Sequence, residues 1–130
     1  MTAYLLDTTA LIDFSKRRDP AFSQIRSWIR AGDTLGACAI TIGEFYAGLS
    51  QEDALDWEEF VTALVYWPIS PRAAMTAGQD RYRFARQGIA ITITDAFVAA
   101  VAREHGAIVV TANVKDYPMG DIELFPLINA

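Results

Sequence analysis

The chain has 130 residues, of which 52% are hydrophobic, and it carries a formal net charge of −5 at pH 7. This length fits a single domain with its own core, and the apolar fraction excludes an intrinsically disordered chain. The negative charge argues against a protein that coats nucleic acid with a broad basic face. It does not exclude an enzyme that cuts nucleic acid with a metal held by carboxylates, since bound cations reverse the local field.

The hydropathy of the chain and its cysteine content both favour a cytoplasmic protein. The longest apolar runs are too short to span a bilayer, and the first residues lack the basic segment and apolar stretch of a signal peptide. The single cysteine, Cys38, has no partner for an internal disulfide, and the single histidine, His105, lies far along the chain, so a catalytic cysteine is not expected. We therefore expect one cytoplasmic domain over residues 1–130 that has no membrane partner.

The chain opens with an apolar run over residues 3–6, which is typical of a buried parallel strand. Asp7 follows this run, and Thr8 and Thr9 are candidate N-caps of the next helix. The carboxyl end of a strand is where open α/β sheets place their ligand sites. Turn chemistry explains Asp7 equally well when it is considered alone.

The next stretch predicts a second helix, a second strand and a third helix. A basic loop over residues 16–18 leads to a helix from Asp19-Pro20 to Gly32, and residues 33–40 read as a strand. Thr41 and Glu44 then match a capping box at the start of the third helix. Capping explains Glu44 completely by itself, yet Glu44 also lies just after a strand, much as Asp7 does.

The central part of the chain predicts two more helices. An amphipathic helix covers residues 52–67, a short edge strand covers residues 66–69, and a helix runs from Ser70-Pro71 to Gly88. The arginines of this last helix are best explained as a solvated face. The sequence leaves open whether any of three contacts RNA, namely Arg81, Arg83 and Arg86.

The last part of the chain predicts two further strands. Residues 89–93 lead into a small-residue helix that begins at Thr94-Asp95, with Thr94 as a neighbouring cap. Strands follow over residues 107–110 and 123–128, and Asn113 can cap a single turn that has Asp116 at its third position. The alternation predicts an α/β fold, a three-layer α/β/α sandwich around a central, mainly parallel sheet of about five strands.

Four acidic residues fall within a few residues of predicted strand ends: Asp7, Glu44, Asp95 and Asp116. Because the carboxyl ends of parallel strands share one edge, these side chains can converge although they are far apart in sequence. Converging carboxylates repel one another unless a cation lies among them, which favours a Mg²⁺ or Mn²⁺ site. Zinc is not expected, because no cysteine or histidine accompanies the acids.

Polar groups at the rim of such a site would suit phosphodiester hydrolysis. A metal with open coordination positions can bind a phosphate oxygen, generate hydroxide and stabilise the leaving oxygen. The candidate rim residues carry hydroxyl and amide groups: Thr8, Thr111 and Asn113.

The same residues carry a family resemblance. Four motifs in order, spread over nearly the whole chain, resemble those of PIN-domain ribonucleases, specifically the VapC toxins of toxin–antitoxin pairs. Each motif is weak by itself, whereas the ordered set in a chain of this size is strong. The motifs read LLDTTALID, ITIGEFYAGL, ITDAFVAAVA and VVTANVKDYPM, the last followed by a C-terminal strand.

The resemblance implies a PIN-like fold and a Mg²⁺- or Mn²⁺-dependent endoribonuclease whose RNA products carry a 5′-phosphate. It also implies an antitoxin protein that covers a groove near the first helices and can insert an arginine among the acids. It assigns the four acids to the catalytic quartet, with Asp7 and Asp95 as metal ligands and Thr8 and Asn113 in supporting positions. Lys115 matches a common family lysine whose role the sequence does not reveal.

The chain departs from the family pattern at two places. Ala112 stands where the family often has a basic residue, which puts one substrate contact in doubt. Phe97-Val98 replaces a common Leu-Ile pair, a conservative change that leaves the preceding Asp95 intact.

The apolar content also favours a homodimer. Four large aromatic side chains exceed what one core of this size requires, so we expect part of them to lie at an interface. These are Phe14, Trp28, Phe45 and Trp57.

Three other classes compete with the nuclease. A phospho-acceptor receiver needs adjacent acids after its first strand, where this chain has Asp7 followed by threonine. A phosphatase with an aspartyl nucleophile needs a second acid where Thr9 stands. A catalytically silent PIN-like binding domain is the third, and the presence of all four acids argues against it.

Overall fold

A computed structural model describes residues 2–128, and across these residues a five-stranded sheet is covered by six helices. The strands are β1 (Ala3–Leu6), β2 (Thr34–Ala37), β3 (Val65–Tyr66), β4 (Ile108–Thr111) and β5 (Leu124–Pro126). The helices are α1 (Thr8–Ser15), α2 (Ala21–Ala31), α3 (Ala39–Ala47), α4 (Gln51–Ala63), α5 (Pro71–Ala85) and α6 (Ile93–His105). A single 3₁₀ turn covers Val114–Asp116.

All four strand pairs in the sheet are parallel, and the strand order is β3-β2-β1-β4-β5. Parallel neighbours must be joined by crossovers, and here helices supply most of them. All strands therefore end at the same edge of the sheet, which is called the carboxyl edge below. The predicted fold class, an α/β/α sandwich around a mainly parallel sheet of five strands, is confirmed.

Alternating side chains of the central strands divide the core into two layers. Leu5 and Val109 point into one layer, and Leu6 and Val110 into the other, as the two-residue period of a strand requires. Helices α5 and α6 cover the first layer, while α1, α2, α3 and α4 contribute to the second. The alanines of α6 are buried, which lets this helix pack closely and carry its first turn to the carboxyl edge.

The aromatic residues expected at an interface lie inside this one chain. Phe14, Trp28 and Phe45 are buried in the second layer, and Trp57 packs against Phe14 with ring centroids 5.9 Å apart. The aromatic excess is therefore explained by the monomer's own core. It gives no support to a dimer interface.

Several helices and strands begin or end at residues other than those predicted from the sequence. The strand predicted over residues 33–40 ends at Ala37, because helix α3 already begins at Ala39. The helix predicted over residues 52–67 ends at Ala63, which frees Val65 and Tyr66 to pair as the edge strand. Asp95 was expected near a strand end, but residues 86–92 form no strand and lead from α5 directly into α6.

No helix within residues 2–128 has the length and apolar character that crossing a membrane requires.

Candidate active site

Asp7 sits at the point where β1 ends and α1 begins. Its own carboxylate is the N-cap of α1: Oδ1 accepts a hydrogen bond from the Ala10 N–H at 3.0 Å. The prediction that Thr8 or Thr9 caps this helix is therefore wrong. The Thr9 hydroxyl donates to the same Oδ1 at 2.6 Å, and the Tyr117 hydroxyl donates to Oδ2 at 3.1 Å.

Burial dominates the ionisation of Asp7, which is only 4% exposed. Loss of hydration raises the pKa of the Asp7 carboxyl above its usual value, although hydrogen bonds from Thr111, Thr9, Ala10 and Tyr117 oppose this shift. The same environment raises the pKa of the Tyr117 phenol, so its hydroxyl stays protonated and remains a donor. The chain thus holds the Asp7 carboxylate in one orientation.

Glu44 reaches the site from the middle of α3, not from a helix cap. The N-cap of α3 is Cys38, and the Thr41 hydroxyl donates to the Cys38 carbonyl at 3.1 Å and accepts from its N–H at 3.3 Å. The capping-box interpretation of Glu44 is therefore wrong. Instead, Glu44 Oε1 accepts a hydrogen bond from the Thr8 hydroxyl at 2.7 Å, which joins α3 to the first turn of α1.

Asp95 lies in the first turn of α6. The N-cap of this helix is Thr92, whose hydroxyl accepts the Asp95 N–H at 3.1 Å, so the prediction that Thr94 is a cap is wrong. Burial is the main cause that raises the pKa of the Asp95 carboxyl. The negative charges of Asp116, Glu44 and Asp7 raise this pKa further. The negative charges of all three other acids therefore act on the Asp95 carboxylate.

Asp116 ends the 3₁₀ turn that follows β4. Asn113 precedes the turn as predicted, but its exposed side chain makes no capping hydrogen bond. Its backbone N–H instead donates to the Thr111 hydroxyl at 2.9 Å. Thr111 is fully buried and stabilises the charged form of Asp7.

The four acids line one cavity of about 200 Å³ at the carboxyl edge. Larger grooves, of about 540 and 450 Å³, lie elsewhere on the surface, and each has a single carboxylate in its lining. The smaller cavity is the candidate active site because all four predicted acids converge there. Its other lining residues are Thr8, Thr9, Val98 and Tyr117.

The supporting residues predicted from sequence occupy different places. Thr8 lines the cavity and holds Glu44. Thr111 lies beneath the site and acts on Asp7, whereas Asn113 does not line the cavity. The structure thus brings Thr8 and Thr111 to the acids and leaves the Asn113 side chain outside.

Two residues of the site were not identified as such from the sequence. Thr9 donates to Asp7 and accepts the Ala112 N–H at 2.9 Å, so it joins α1 to the end of β4. The sequence drew attention to Thr9 only as a possible cap. Tyr117 carries no sequence signal at all, because its partner Asp7 is 110 positions away in the chain.

The donor set fits a hard divalent cation that keeps part of its own water. Within residues 2–128, no three carboxylate, histidine or cysteine side chains form a preformed metal cage. Mg²⁺ seldom needs one, since it usually binds through one or two carboxylates and completes its shell with water and substrate phosphate. The hard carboxylate oxygens of the cavity match that preference, and the cavity leaves space for those further ligands.

Comparisons with known proteins agree with this geometry. The family model described as PIN domain matches residues 4–115. Ribonuclease VapC2 from Haemophilus influenzae is 30% identical over 122 residues, which cover 90% of this chain and 91% of the relative.

Solved structures show the same fold. VapBC from Salmonella typhimurium, solved bound to DNA, matches with a TM-score of 0.80 and 25% identity over 98% of this chain and 100% of the other. VapBC2 from Rickettsia felis, bound to a fragment of promoter DNA, matches with a TM-score of 0.83 and 20% identity over 96% of this chain and 98% of the other.

Proposed function

This chain belongs to the PIN domain family, and on that basis we propose that it is a metal-dependent endoribonuclease, the toxin of a toxin–antitoxin pair. The observation that carries the proposal is the convergence of Asp7, Glu44, Asp95 and Asp116 on one cavity. Relatives that match along nine-tenths of the chain are named ribonuclease VapC.

We assign the cofactor as Mg²⁺ or Mn²⁺, held by Asp7 and Asp95. When bound, such a cation supplies a Lewis acid for the phosphate and lowers the pKa of a water ligand. The chain's contribution is orientation: Thr9, Tyr117 and the Ala10 N–H fix the Asp7 carboxylate. Without a cation, the four negatively charged carboxylates would repel the phosphate of the substrate.

Glu44 and Asp116 are the other two acids that line the cavity. The Thr8 hydroxyl holds Glu44, and the 3₁₀ turn after β4 holds Asp116 at the same cavity. We assign both residues to the arrangement of water and the leaving group around the phosphate. This division of labour places Asp7, the one buried acid of the four, nearest the metal together with Asp95.

The proposed partners are RNA as substrate, a cognate antitoxin protein and a second copy of the chain. An apolar groove of about 450 Å³ between α2 and α4 supports the antitoxin assignment, because Ile29, Phe60 and Leu64 line it near the first helices. Structural neighbours named VapBC support it as well. The homodimer stays a prediction from the high apolar content of the chain, and the aromatic residues lend it no support because they pack within one core.

The competing functions fit the site less well. A receiver or an aspartyl phosphatase needs a second carboxylate next to the first, but Thr8 and Thr9 follow Asp7 and are engaged with Glu44 and Asp7. A silent binding domain would have no need for four mutually repelling acids in one cavity.

The experiment that tests the proposal is cleavage of single-stranded RNA by the purified chain. We expect cleavage with Mg²⁺ or Mn²⁺, none in EDTA, and recovery when either metal is restored. The products should carry 5′-phosphates. Cleavage that persists undiminished in EDTA would contradict the metal assignment, and uptake of phosphate from a small donor would favour a receiver.

Tyr117→Phe should change the pH dependence of cleavage. The variant loses a hydrogen bond that stabilises the charged form of Asp7, so the pKa of Asp7 should rise and the acid limb of the pH–rate profile should move to higher pH. We expect a rate loss of about tenfold near neutral pH, as for other residues that orient a metal ligand. The exposed Tyr66→Phe is the matched control, and an unmoved acid limb in Tyr117→Phe would show that this hydroxyl does not act on Asp7.

A further inference from the structure

The last turns of α5, the connection that follows and the first residues of α6 together are locally basic in an acidic chain. Residues 81–94 contain three arginines and no acidic residue, whereas the whole chain has a net charge of −5. Helix α6 leads into β4, so its first turn lies at the carboxyl edge with Asp95. The segment therefore ends at the helix start that carries Asp95, which lines the candidate active site.

Two of the three arginines are already engaged. The Arg81 Nε donates to the Ile91 carbonyl at 2.8 Å, which fixes the connecting segment against α5. Arg83 forms an ion pair with the buried Asp80 at 3.0 Å. Both arginines thus make contacts that stabilise the fold.

Arg86 is different, because it forms no ion pair with any residue in the described part of the chain. Its guanidinium lies 5.3 Å from the centroid of the Tyr82 ring, and its Nη1 donates to the Tyr82 hydroxyl at 3.1 Å. Tyr82 itself is 65% exposed. The pair presents a positive charge and an aromatic surface to solvent.

A groove of about 400 Å³ is lined by Tyr82, and Arg86 contacts this tyrosine from outside the lining. Small side chains at Gly78, Ala85 and Ala90 leave room in it, and Tyr82 and Arg81 line its polar side. Ile91 also lines the groove, and the next residue, Thr92, caps α6 and accepts the Asp95 N–H. The lining of the groove therefore includes the residue directly before the Thr92 cap of the helix that carries Asp95.

We propose that this groove binds one unpaired nucleotide of the RNA substrate, next to the phosphate that is cut. Its base stacks on Tyr82, and its phosphate contacts Arg86. Single-stranded RNA is the occupant that matches the exposed ring and the positive charge. Its bases are free to stack on aromatic rings, and its phosphates bind arginines that have no acidic partner. This inference rests on the proposed function and adds a subsite that the four acids do not provide.

The test measures binding of a fluorescent single-stranded RNA by proteins that carry Asp95→Asn, so that binding is read without cleavage. Added Tyr82→Ala or Arg86→Ala should weaken binding about tenfold, and Tyr82→Phe should retain it, since stacking uses the ring. Arg86→Ala should also reduce the salt slope by about 0.7, the value for one phosphate contact on a single strand.

Arg30→Ala is the matched charge control. Arg30 is exposed in the last turn of α2, which leads into the start of β2, so it lies at the edge opposite the acids. Its substitution should leave both affinity and salt slope unchanged. An equal loss in Arg30→Ala and Arg86→Ala would overturn the subsite in favour of diffuse charge attraction.

The outcomes separate the subsite from the function on which it rests. If wild type cleaves RNA and Tyr82→Ala binds and cleaves it equally well, the subsite is wrong and the nuclease stands. If wild type neither binds nor cleaves RNA with metal present, both are wrong. Because Tyr82 and Arg86 are exposed, unchanged melting temperatures should accompany the expected loss of binding.

Discussion

Asp95→Asn and Asp7→Asn are each expected to reduce RNA cleavage about a thousandfold or more. Metal-assisted stabilisation of the transition state contributes several kcal/mol, and each 1.4 kcal/mol or so corresponds to a factor of ten in rate. Asparagine keeps the size of the side chain but removes the negative charge that holds the cation. Single-turnover cleavage of a labelled RNA at saturating Mg²⁺ measures the loss.

The control for this prediction is Asp56→Asn, which removes the same charge from the exposed face of α4. Its cleavage rate should equal that of wild type. Cleavage by Asp95→Asn within a few-fold of the Asp56→Asn rate would show that Asp95 does not take part in the reaction.

The second large effect concerns the stability of the metal-free protein, which Asp95→Asn should increase. Asp95 is destabilised by partial burial and by the charges of three other acids. Asp95 is not the N-cap of α6, so the substitution leaves the Thr92 cap in place. We expect a gain on the order of 1 kcal/mol in the free energy of unfolding, after allowing for solvent screening of a half-exposed group.

The pH dependence gives the same prediction an independent readout. The pKa values of Asp7 and Asp95 are raised in the folded state, so the native protein binds their protons before the unfolded chain does. Their destabilising contribution is present above the raised pKa values and is relieved as pH falls through them toward the ordinary value of 3.8. Metal-free wild type should therefore gain stability relative to Asp95→Asn across that window.

Two other carboxylates affect the stability of the fold at lower pH. The pKa of Asp121 is lowered by Arg103, and that of Asp19 by its hydrogen bonds with Ser23. Their stabilising contributions are lost as pH falls below 3.8 toward the lowered values. Urea unfolding at several pH values, in wild type and Asp95→Asn, separates the two effects. A wild type that only loses stability as pH falls, in parallel with the variant, would contradict the repelling cluster.

The sequence was sufficient to predict the fold because its apolar runs are short and are separated by helices. Strands β1 and β4 match their predicted ranges to within a residue. The convergence of the acids was also predicted, but for a reason that is partly wrong. Asp95 follows no strand: it reaches the carboxyl edge because Thr92 starts a helix there.

The parts that could not be predicted depend on contacts between distant residues. Nothing local reveals that the Tyr117 hydroxyl reaches Asp7, or that Thr9 holds both Asp7 and the end of β4. Glu44 was ambiguous because a capping box that begins at Thr41, three residues after the real N-cap Cys38, fits the local sequence equally well. Aromatic residues suggested an interface because composition cannot show how many rings one core holds.

The response of thermal unfolding to Mg²⁺ tests most directly whether the four acids form a metal site. Wild type and Asp56→Asn should show melting temperatures that rise with Mg²⁺, following RT ln(1 + [L]/Kd). Asp95→Asn should start higher without metal and respond little to it. An equal Mg²⁺ response in wild type and Asp95→Asn would show that Asp95 is not at a metal site, and the four-acid metal centre would have to be abandoned.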